Sequence, residues 1–306
     1  MKKHLKSVFF CVICIIIVTS SFIINKTNNN KSTATNQKSI IELWHIDTFE
    51  GGKGSRKDFL LNASLAFEKK YNVIVSVISH TIESAKKCLE NSQPDLISCG
   101  GGIDIANYVK SIPIKDSFNI CNIGKKNYGI SWCRGGYALI GSGKKDTLIV
   151  SQGEYNLPLM ALKESKQTFT TIICLPPQKA FTEYIKKGGY LLGTQRDIIR
   201  LISLEKEVVY EPISQFCDLF QVICITSNNK KNIPLCEKYI SFLLTDKVQA
   251  KLERIGMFST TGLSLYKNTQ LEKLEENKIN SFINFFTSSN ILKIKNDNLK
   301  QELKTS

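Results

Sequence analysis

Apolar strands and amphipathic helices alternate between residues 40 and 102, and this alternation constrains the fold more than any other feature of the chain. Residues 40–46 are rich in the β-branched and aromatic residues typical of a strand, and Ser55 precedes Asp58 with capping-box spacing at the start of a predicted helix, 56–70. Two further strands and a second helix are predicted at residues 73–79, 94–98 and 82–90. Helical crossovers of this length join parallel strands, so the pattern predicts an open α/β sheet. In such sheets, ligands bind beyond the carboxyl ends of the strands.

The first 38 residues predict a segment that directs the chain to a membrane. Lys2, Lys3 and Lys6 precede an apolar run over residues 8–24, and a polar stretch of Asn, Thr, Ser, Gln and Lys follows. A basic flank before an apolar core is typical of a signal peptide or a membrane anchor. We interpret residues 1–25 as this segment, favouring an uncleaved anchor over a cleaved signal peptide, and residues 26–38 as a linker. The basic end is expected on the inner side of the membrane and the rest of the chain on the outer side.

The remaining chain, roughly 270 residues, is long enough for two lobes of ordinary domain size. We expect lobe one over residues 39–143 and lobe two over 144–215, with a return strand and C-terminal helices over 216–306 that complete the lobes. Further along the chain the pattern predicts a strand pair with a Gly-rich turn, a helix opened by Thr194, and two late helices, at residues 128–140, from 194 onward, 235–244 and 246–255.

The formal net charge of +14 invites a nucleic-acid interpretation, because clustered Lys and Arg neutralise phosphates. The lysines instead form scattered pairs among Asn and Ile, such as Lys69-Lys70 and Lys186-Lys187, without a basic stripe that carries interleaved aromatic residues. Isolated pairs are typical of solvated surface. We therefore expect no nucleic-acid partner, and a basic ectodomain beside an anionic membrane or cell wall needs no specific one.

Ten cysteines are many for a protein expected outside the cell. Cys11 and Cys14 lie in the apolar run, and the rest of the sequence has no CxxC motif. His45 and His80 do not stand at metal-ligand spacing with the cysteines, so no metal site is predicted. Cys99 lies in an apolar strand, where cysteine packs as a small buried hydrophobe, although the sequence leaves disulfide bonds open as an alternative.

Four segments follow one another in a characteristic order: 43–45 (LWH), 95–97 (DLI), 131–137 (SWCRGGY), and 242–249 (FLLTDKVQ) with 255–258 (IGMF) after it. Their order and spacing resemble the extracellular solute-binding proteins of bacterial ABC importers, particularly the sugar-type family. The resemblance implies a type II periplasmic-binding-protein-like fold, in which two lobes, each an open mixed α/β sheet flanked by helices, are joined by a hinge. It also implies a monomeric, non-enzymatic subunit that binds a carbohydrate or similar polar solute and passes it to a permease.

Two features depart from that family. Its members in single-membrane bacteria are usually lipoproteins, yet Cys11 follows Phe10 and Cys14 follows Ile13, and neither is preceded by the small residue that a lipobox needs. This argues against acyl anchoring. The chain is also shorter than most sugar-binding relatives, which leaves the ligand class open.

In a two-lobed binder the ligand lies between the lobes, where hinge closure buries it. Loops at strand ends and helix starts supply the candidate residues. These are Trp44, His45, Asp47, Ser98, Gly100, Gly101, Gly102, Trp132, Arg134, Tyr137, Gln195 and Arg196. Trp132, Arg134 and Tyr137 offer a stacking face and a charged clamp, and the three glycines expose backbone amides.

Several candidates have a structural alternative. Trp44 lies within a strand and fits the core equally well, Arg134 fits a surface salt bridge, and His45 fits a structural role. Gln195 and Arg196 stand at a predicted helix N-terminus, where amide donors favour a polar or anionic group.

Enzyme motifs are weak in this sequence. Residues 51–55 (GGKGS) resemble a phosphate loop, but Gly54 separates Lys53 from Ser55 and the Walker A pattern is not met. The sequence lacks GxSxG, HExxH and GxGxxG motifs, and we predict neither catalytic residues nor a cofactor. Two alternatives to solute binding stay open: a binding-incompetent sensor or structural surface protein, and a hydrolase or transferase that acts in the cleft.

Overall fold

The computed structural model describes residues 38–47, 54–143, 146–213 and 215–305. Ile40–Ser306 form one compact unit. The predicted membrane segment, 1–25, and the linker up to residue 37 lie outside the described residues. Within the described part of the chain, no helix combines the length and the hydropathy that a membrane crossing requires.

Lobe one is built on a five-stranded sheet. Its strands are β1 (Ser39–Ile46), β2 (Val73–His80), β3 (Leu96–Cys99), β6 (Ile130–Arg134) and β13 (Phe220–Ile225). They lie in the order β2-β1-β3-β13-β6. β1 and β3 are parallel, with Trp44 opposite Ile97, as the helical crossovers predict. β13 is antiparallel to both β3 and β6, so the sheet is mixed.

Lobe two is built on a second five-stranded sheet. Its strands are β7 (Tyr137–Gly141), β8 (Thr147–Ser151), β9 (Thr171–Leu175), β10 (Tyr190–Thr194) and β11 (Tyr210–Pro212). They lie in the order β11-β7-β10-β8-β9. β8 is parallel to β9 and β10, whereas β7 is antiparallel to β10 and β11. Two short pairs lie outside the main sheets: β4 (Asn122–Ile123) with β5 (Lys126–Asn127), and β12 (Gln215–Phe216) with β14 (Ile279–Ser281).

Helices cover the sheets. They are α1 (Arg56–Tyr71), α2 (Ile82–Leu89), α3 (Pro158–Glu164), α4 (Pro177–Lys187), α5 (Gln195–Ser203), α6 (Ile233–Leu243), α7 (Asp246–Gln249), α8 (Glu272–Glu275) and α9 (Ser289–Thr305), with a 3-10 helix over Ala250–Ile255. The Ser55 side chain accepts a hydrogen bond from the Asp58 amide, which confirms the predicted start of α1. Phe59, Ala63 and Phe67 recur at helical spacing and are buried, so the apolar face of α1 covers the sheet of lobe one.

The C-terminal helices divide between the lobes. The ring of Tyr239 in α6 packs edge-on against Phe67 at 5.2 Å, and Leu252 in the 3-10 helix joins the same core in lobe one. Leu274 in α8 packs with Ala138 in lobe two, and α9 contacts α3 and β9. Both lobes therefore depend on the chain that follows β13.

The strand pair predicted over residues 128–140 needs correction. Both strands form, but β6 pairs with β13 in lobe one, whereas β7 pairs with β10 and β11 in lobe two. Gly135 and Gly136 connect two sheets rather than turning a hairpin. Lobe two therefore begins at β7, before residue 144. The helix predicted over 246–255 is also divided, because α7 gives way to the 3-10 helix, which ends at Gly256 with φ 66°.

Within the described residues, the chain crosses between the lobes at three places. They are residues 135–136, residues 217–219, and the segment between the 3-10 helix and α8. Backbone hydrogen bonds tie the crossings together: Gly135 donates to the Leu219 carbonyl at 2.7 Å, and Arg134 and Phe258 donate to each other's carbonyls at 3.1 and 2.9 Å. These crossings form the hinge region of the two-lobed fold.

Candidate functional site

A cavity of about 510 Å³ opens between the two sheets. Lobe one contributes Asp47, residues 81–83, Gly100 and Gly101 to its walls. Lobe two contributes residues 151–156, Pro176, Pro177 and Thr194, and residues 218–220 at the second crossing complete it. A concave site of this size, with mixed polar and apolar walls, suits a small organic solute. We call this cavity the cleft.

The strand directions explain why these loops meet. β1 and β3 are parallel, so Asp47 and Gly100, which follow them, emerge at the same sheet edge. In lobe two, β8, β9 and β10 are parallel, and Ser151, Pro176 and Thr194 stand at their carboxyl ends. The carboxyl ends of both sheets thus face the same cleft.

The structure places three of the sequence-predicted ligand residues in the lining, namely Asp47, Gly100 and Gly101. Gly102 lines a smaller adjoining cavity of about 30 Å³ together with Gly101 and Tyr155. Gly102 has φ +79°, and a Cβ atom there would lie 2.7 Å from Tyr155 Cβ. The close approach of Gly102 to Tyr155 brings a lobe-one loop against a lobe-two loop.

Four other predicted residues lie in the core of lobe one instead. The Trp132 indole is fully buried, stacks on Phe59 at 5.2 Å between ring centroids, and donates to Ser98 Oγ at 3.1 Å. His45 Nδ1 lies 3.4 Å from the same Ser98 oxygen. Trp44 is also buried, and its ring packs 4.4 Å from the ring of His80. These side chains connect β1, β3 and β6 beneath the cleft and are not part of its wall.

The four remaining predicted residues lie at or beside the hinge. Arg134 is buried over the ring of Phe258 and donates to the Glu275 carbonyl at 2.5 Å, and burial lowers the pKa of its guanidinium. Gln195 accepts from the Gly136 amide at 2.9 Å. It also donates to the Gly256 carbonyl at 3.1 Å, so one side chain joins two crossings to lobe two.

Tyr137 and Arg196 are likewise buried in polar contacts of the protein itself. The Tyr137 hydroxyl donates to Asp218 Oδ1 at 2.7 Å, and Arg196 donates to the Gly54 carbonyl at 2.7 Å. Thr194 caps α5 in a capping box with Asp197. Thr194 itself lines the cleft. The predicted stacking face and charged clamp therefore do not line the cleft.

Sequence reasoning missed four residues that shape the cleft: Glu83, Glu154, Tyr155 and Asp218. Glu83 follows β2 in the first turn of α2, and residues 151–156 begin at the end of β8. The available signal was their position after a strand, since such loops carry ligand residues in this kind of sheet. Without the order of the second sheet, β8 and its following loop could not be recognised as facing lobe one.

Carboxylates dominate the charge of the cleft. Hydrogen bonds from its own backbone amide and from Thr81 lower the pKa of Glu83. Asp218 accepts from the Leu157 amide at 2.6 Å in addition to Tyr137. Burial, then a hydrogen bond to Glu154 and the nearby charge of Glu83, raise the pKa of the Tyr155 phenol. These carboxylates make the cleft anionic.

Cations stand beside this wall rather than in it. Lys86 lies 3.9 Å from Asp104, and its ammonium is 5.9 Å from the centre of the Tyr155 ring. Arg56 lies 3.4 Å from Asp47. Among the described residues, no group of three or more His, Cys, Asp or Glu side chains has an arrangement that could hold a metal ion.

The fold was compared with proteins of known sequence and structure. No protein-family profile and no curated protein sequence matches the chain. Solved structures do match. A Trichodesmium protein in complex with iron and citrate has 13% sequence identity and a TM-score of 0.62, over 87% of this chain and 99% of the other.

Two further structures match over similar spans. The spermidine/putrescine ABC transporter substrate-binding protein PotD of Streptococcus pneumoniae has 12% identity and a TM-score of 0.59, over 88% of this chain and 99% of its own. The GacH receptor of Streptomyces glaucescens, solved unliganded and with acarbose, has 11% identity and a TM-score of 0.57, over 88% and 99%. At this identity the match establishes the fold alone. The chain therefore has the two-lobed α/β fold of the periplasmic binding proteins, with mixed sheets flanked by helices, as its sequence predicts.

Proposed function

We propose that this protein is the extracellular solute-binding subunit of an ABC-type importer. It binds a small polar solute in the cleft and presents it to a permease in the membrane. The observation that carries this proposal is the cleft itself, a cavity of about 510 Å³ where the carboxyl ends of both sheets face each other across a three-segment hinge. A hinge beside a ligand-sized cavity allows closure to bury the ligand between the lobes.

The fold supports this function but leaves the solute open. The three matching structures named above were solved with, or named for, acarbose, iron and citrate, and polyamines, which are different chemical classes. A carbohydrate stays a prediction from the sequence resemblance. A sugar-stacking surface in this cleft would have to come from Tyr155 and Phe220, because Trp132 is buried in the core.

Location and assembly complete the proposal. The N-terminal segment, 1–25, holds the chain at the outer face of the membrane, and the linker, 26–38, gives the lobes reach toward the permease. The protein acts as a monomer, does no covalent chemistry and needs no cofactor. The alternatives are a binding-incompetent sensor or structural protein with the same cleft, and a cleft hydrolase or transferase.

A ligand panel tests the proposal on the full-length chain. Sugars, oligosaccharides, amino acids, amines, phosphate and citrate are screened by thermal shift, because a ligand that binds only the folded state raises the melting temperature. Small-angle scattering of the positive members then measures closure. We expect one class to raise the melting temperature and to reduce the radius of gyration.

Matched variants make the panel specific to the cleft. Gly101→Trp fills the cleft from a position where an added Cβ meets no described atom within 4 Å. Lys69→Trp places the same side chain on the exposed face of α1. Binding should be lost in the first variant and kept in the second. A folded chain that binds no panel member supports the sensor alternative, and turnover of a member supports the enzyme alternative.

A further inference from the structure

We propose that the solute is an organic cation, a molecule with one or more ammonium groups on an apolar frame. This inference rests on the solute-binding function proposed above and assigns the chemical class of its ligand. It is carried by the charge, the unpaired acceptors and the apolar walls of the cleft.

The cleft has a charge opposite to that of the chain. The whole chain carries a formal net charge of +14. Yet four of the described residues that line the cleft are acidic: Asp47, Glu83, Glu154 and Asp218. The described lining contains no Lys, Arg or His. An anionic cavity in a cationic protein attracts positive solutes and repels negative ones. This argues against phosphate, citrate or another anion as the ligand.

The carboxylates come from both sides of the cleft. Glu83 belongs to lobe one, Glu154 to lobe two and Asp218 to the second crossing. In the absence of a ligand, the approach of the lobes brings like charges together and costs free energy. A cation between them removes this cost and attracts both lobes. Closure is thereby coupled to the charge of the solute.

Asp47 and Asp218 each contact other groups of the protein. Asp47 lies 3.4 Å from the Arg56 guanidinium. Asp218 accepts hydrogen bonds from two neutral donors, the Tyr137 hydroxyl at 2.7 Å and the Leu157 amide at 2.6 Å. Neutral donors orient a carboxylate and stabilise its charged form without cancelling its charge. The two bonds hold the Asp218 carboxylate in the wall of the cleft.

Two shielded acceptors belong to the loop after β8. As their amides are oriented, Gln152 Oε1 and Asn156 Oδ1 are buried and have no hydrogen-bond donor among the described residues. Both residues line the cleft. A buried acceptor without a donor costs free energy, so a ligand that brings N–H groups is favoured there. Ammonium and amine groups supply such donors.

The chain already places an ammonium group against this wall. Lys86 reaches over the Tyr155 ring at 5.9 Å from its centre and lies 3.9 Å from Asp104. An aromatic face with carboxylates beside it attracts cations. Tyr155 and Phe220 offer the cleft two such rings.

The remaining walls favour an organic cation over a metal ion. Ile82, Leu219, Phe220, Pro176 and Pro177 supply apolar surface around the carboxylates. A cavity of about 510 Å³ greatly exceeds the volume of one metal ion and matches that of a small organic molecule. The apolar surface packs on carbon atoms, whereas a calcium or magnesium ion is coordinated by oxygen ligands.

Isothermal titration calorimetry on the full-length chain tests the inference. The probes are spermidine and choline as organic cations, maltose as a neutral sugar, citrate as an anion, and calcium chloride. We expect spermidine or choline to bind and the other three not to bind. Raising sodium chloride from 50 to 500 mM should weaken cation binding by about tenfold, because salt screens the carboxylates.

Charge-neutralising variants test the site. Glu83→Gln and Glu154→Gln preserve shape and should each weaken cation binding by up to about fivefold. Glu207→Gln removes the same charge from an exposed residue of lobe two outside the cleft and should leave binding unchanged. Equal melting temperatures of the variants show that each is folded.

The outcomes separate the two proposals. Binding of maltose, citrate or calcium without binding of either cation overturns the cation inference and leaves solute binding in place. Binding of only uncharged or anionic members of the thermal-shift panel would also overturn the cation inference and leave solute binding in place. Binding by no member of any class overturns both. The inference would also be overturned if the Glu83→Gln and Glu154→Gln variants bound the cation as tightly as the Glu207→Gln variant. The cation would then bind outside the cleft.

Discussion

Tyr137 and Asp218 are joined by a hydrogen bond of 2.7 Å from the phenolic hydroxyl to Oδ1. Tyr137 begins β7 just after the first crossing, and Asp218 lies in the second. Since Oδ2 of Asp218 accepts from the Leu157 amide at 2.6 Å, one carboxylate connects the hinge to the loop before α3. The same carboxylate lines the cleft, so the ligand site and the hinge share this group.

Tyr137→Phe should therefore weaken both stability and closure. The variant removes a buried donor and leaves the ring in place, which costs about 1–2 kcal/mol of the free energy of unfolding. Urea denaturation measures the loss. Tyr184→Phe, which removes a hydroxyl from the half-buried outer helix α4, should change stability by less than about 0.5 kcal/mol. Equal losses in both variants would contradict a special role for the Tyr137–Asp218 bond.

Gly102→Ala should disturb the contact between the lobes. Gly102 has φ +79°, and its added Cβ would lie 2.7 Å from both Cβ and Cγ of Tyr155. We expect a loss of about 1–3 kcal/mol in stability and a displaced Tyr155, from backbone strain and the clash together. Gly101→Ala is the matched control, because an added Cβ there meets no described atom within 4 Å. Denaturation curves that coincide for the two variants would show that the Gly102–Tyr155 contact is not constrained.

Asp197 should give stability a measurable pH dependence. Its carboxylate is buried at the start of α5, where it accepts from the Thr194 amide at 2.9 Å. Burial raises its pKa to about 6, although the bonds from Thr194 oppose this shift. In the unfolded chain the pKa is about 3.9, so the folded state binds the proton more tightly.

The direction of the pH dependence of stability follows from this difference in pKa between the folded and unfolded states. The contribution of Asp197 to the free energy of unfolding is fully present below pH 4 and is lost as the pH rises through 6. Two pKa units correspond to a change on the order of 3 kcal/mol. Asp197→Asn removes the titration, so the difference in stability between the parent and the variant should change between pH 4 and 7, with the parent losing ground. Urea denaturation across this range measures it, and parallel curves would contradict the prediction.

Thiol reactivity should follow burial. Of the eight cysteines among the described residues, six are buried, whereas Cys88 and Cys174 are partly exposed. Burial raises the pKa of Cys236 to about 12 and raises that of Cys99 and Cys224 as well, so their reactive thiolates are scarce at neutral pH. Brief iodoacetamide treatment of the folded chain, followed by peptide mass spectrometry, should modify Cys88 and Cys174 well before these three. Equal labelling rates for the buried and the partly exposed cysteines would contradict the predicted dependence of reactivity on burial.

The fold could be predicted from sequence because its signals are local. The capping box before α5, the apolar stripe of α1 and the strand–helix alternation of lobe one each depend on residues close in the chain. The hinge was not predictable in this way. β6 and β7 follow each other with two glycines between them, and their assignment to different sheets depends on β13, which lies more distantly along the chain.

Dependence on distant parts of the chain also explains why the residues of the cleft were not predicted. All five residues of β6 are buried, so its sequence has no alternation to show which side chains face the cleft and which the core. Trp132 and Arg134 thus looked like ligand residues, although one packs in the core and the other in the hinge. The local sequence does not distinguish Glu83 and Glu154 from other acidic residues of the chain. Only the meeting of two distant loops gives them a shared electrostatic role.

The position of β13 between β3 and β6 also sets an order of events during synthesis. Four strands of the first sheet and the whole second sheet emerge from the ribosome before residues 220–225 do. Until then β3 is an unprotected sheet edge and β6 has no neighbour, a state that is prone to mispairing and that holdase chaperones shield. The sheet that begins to be translated first is therefore the sheet that is finished last.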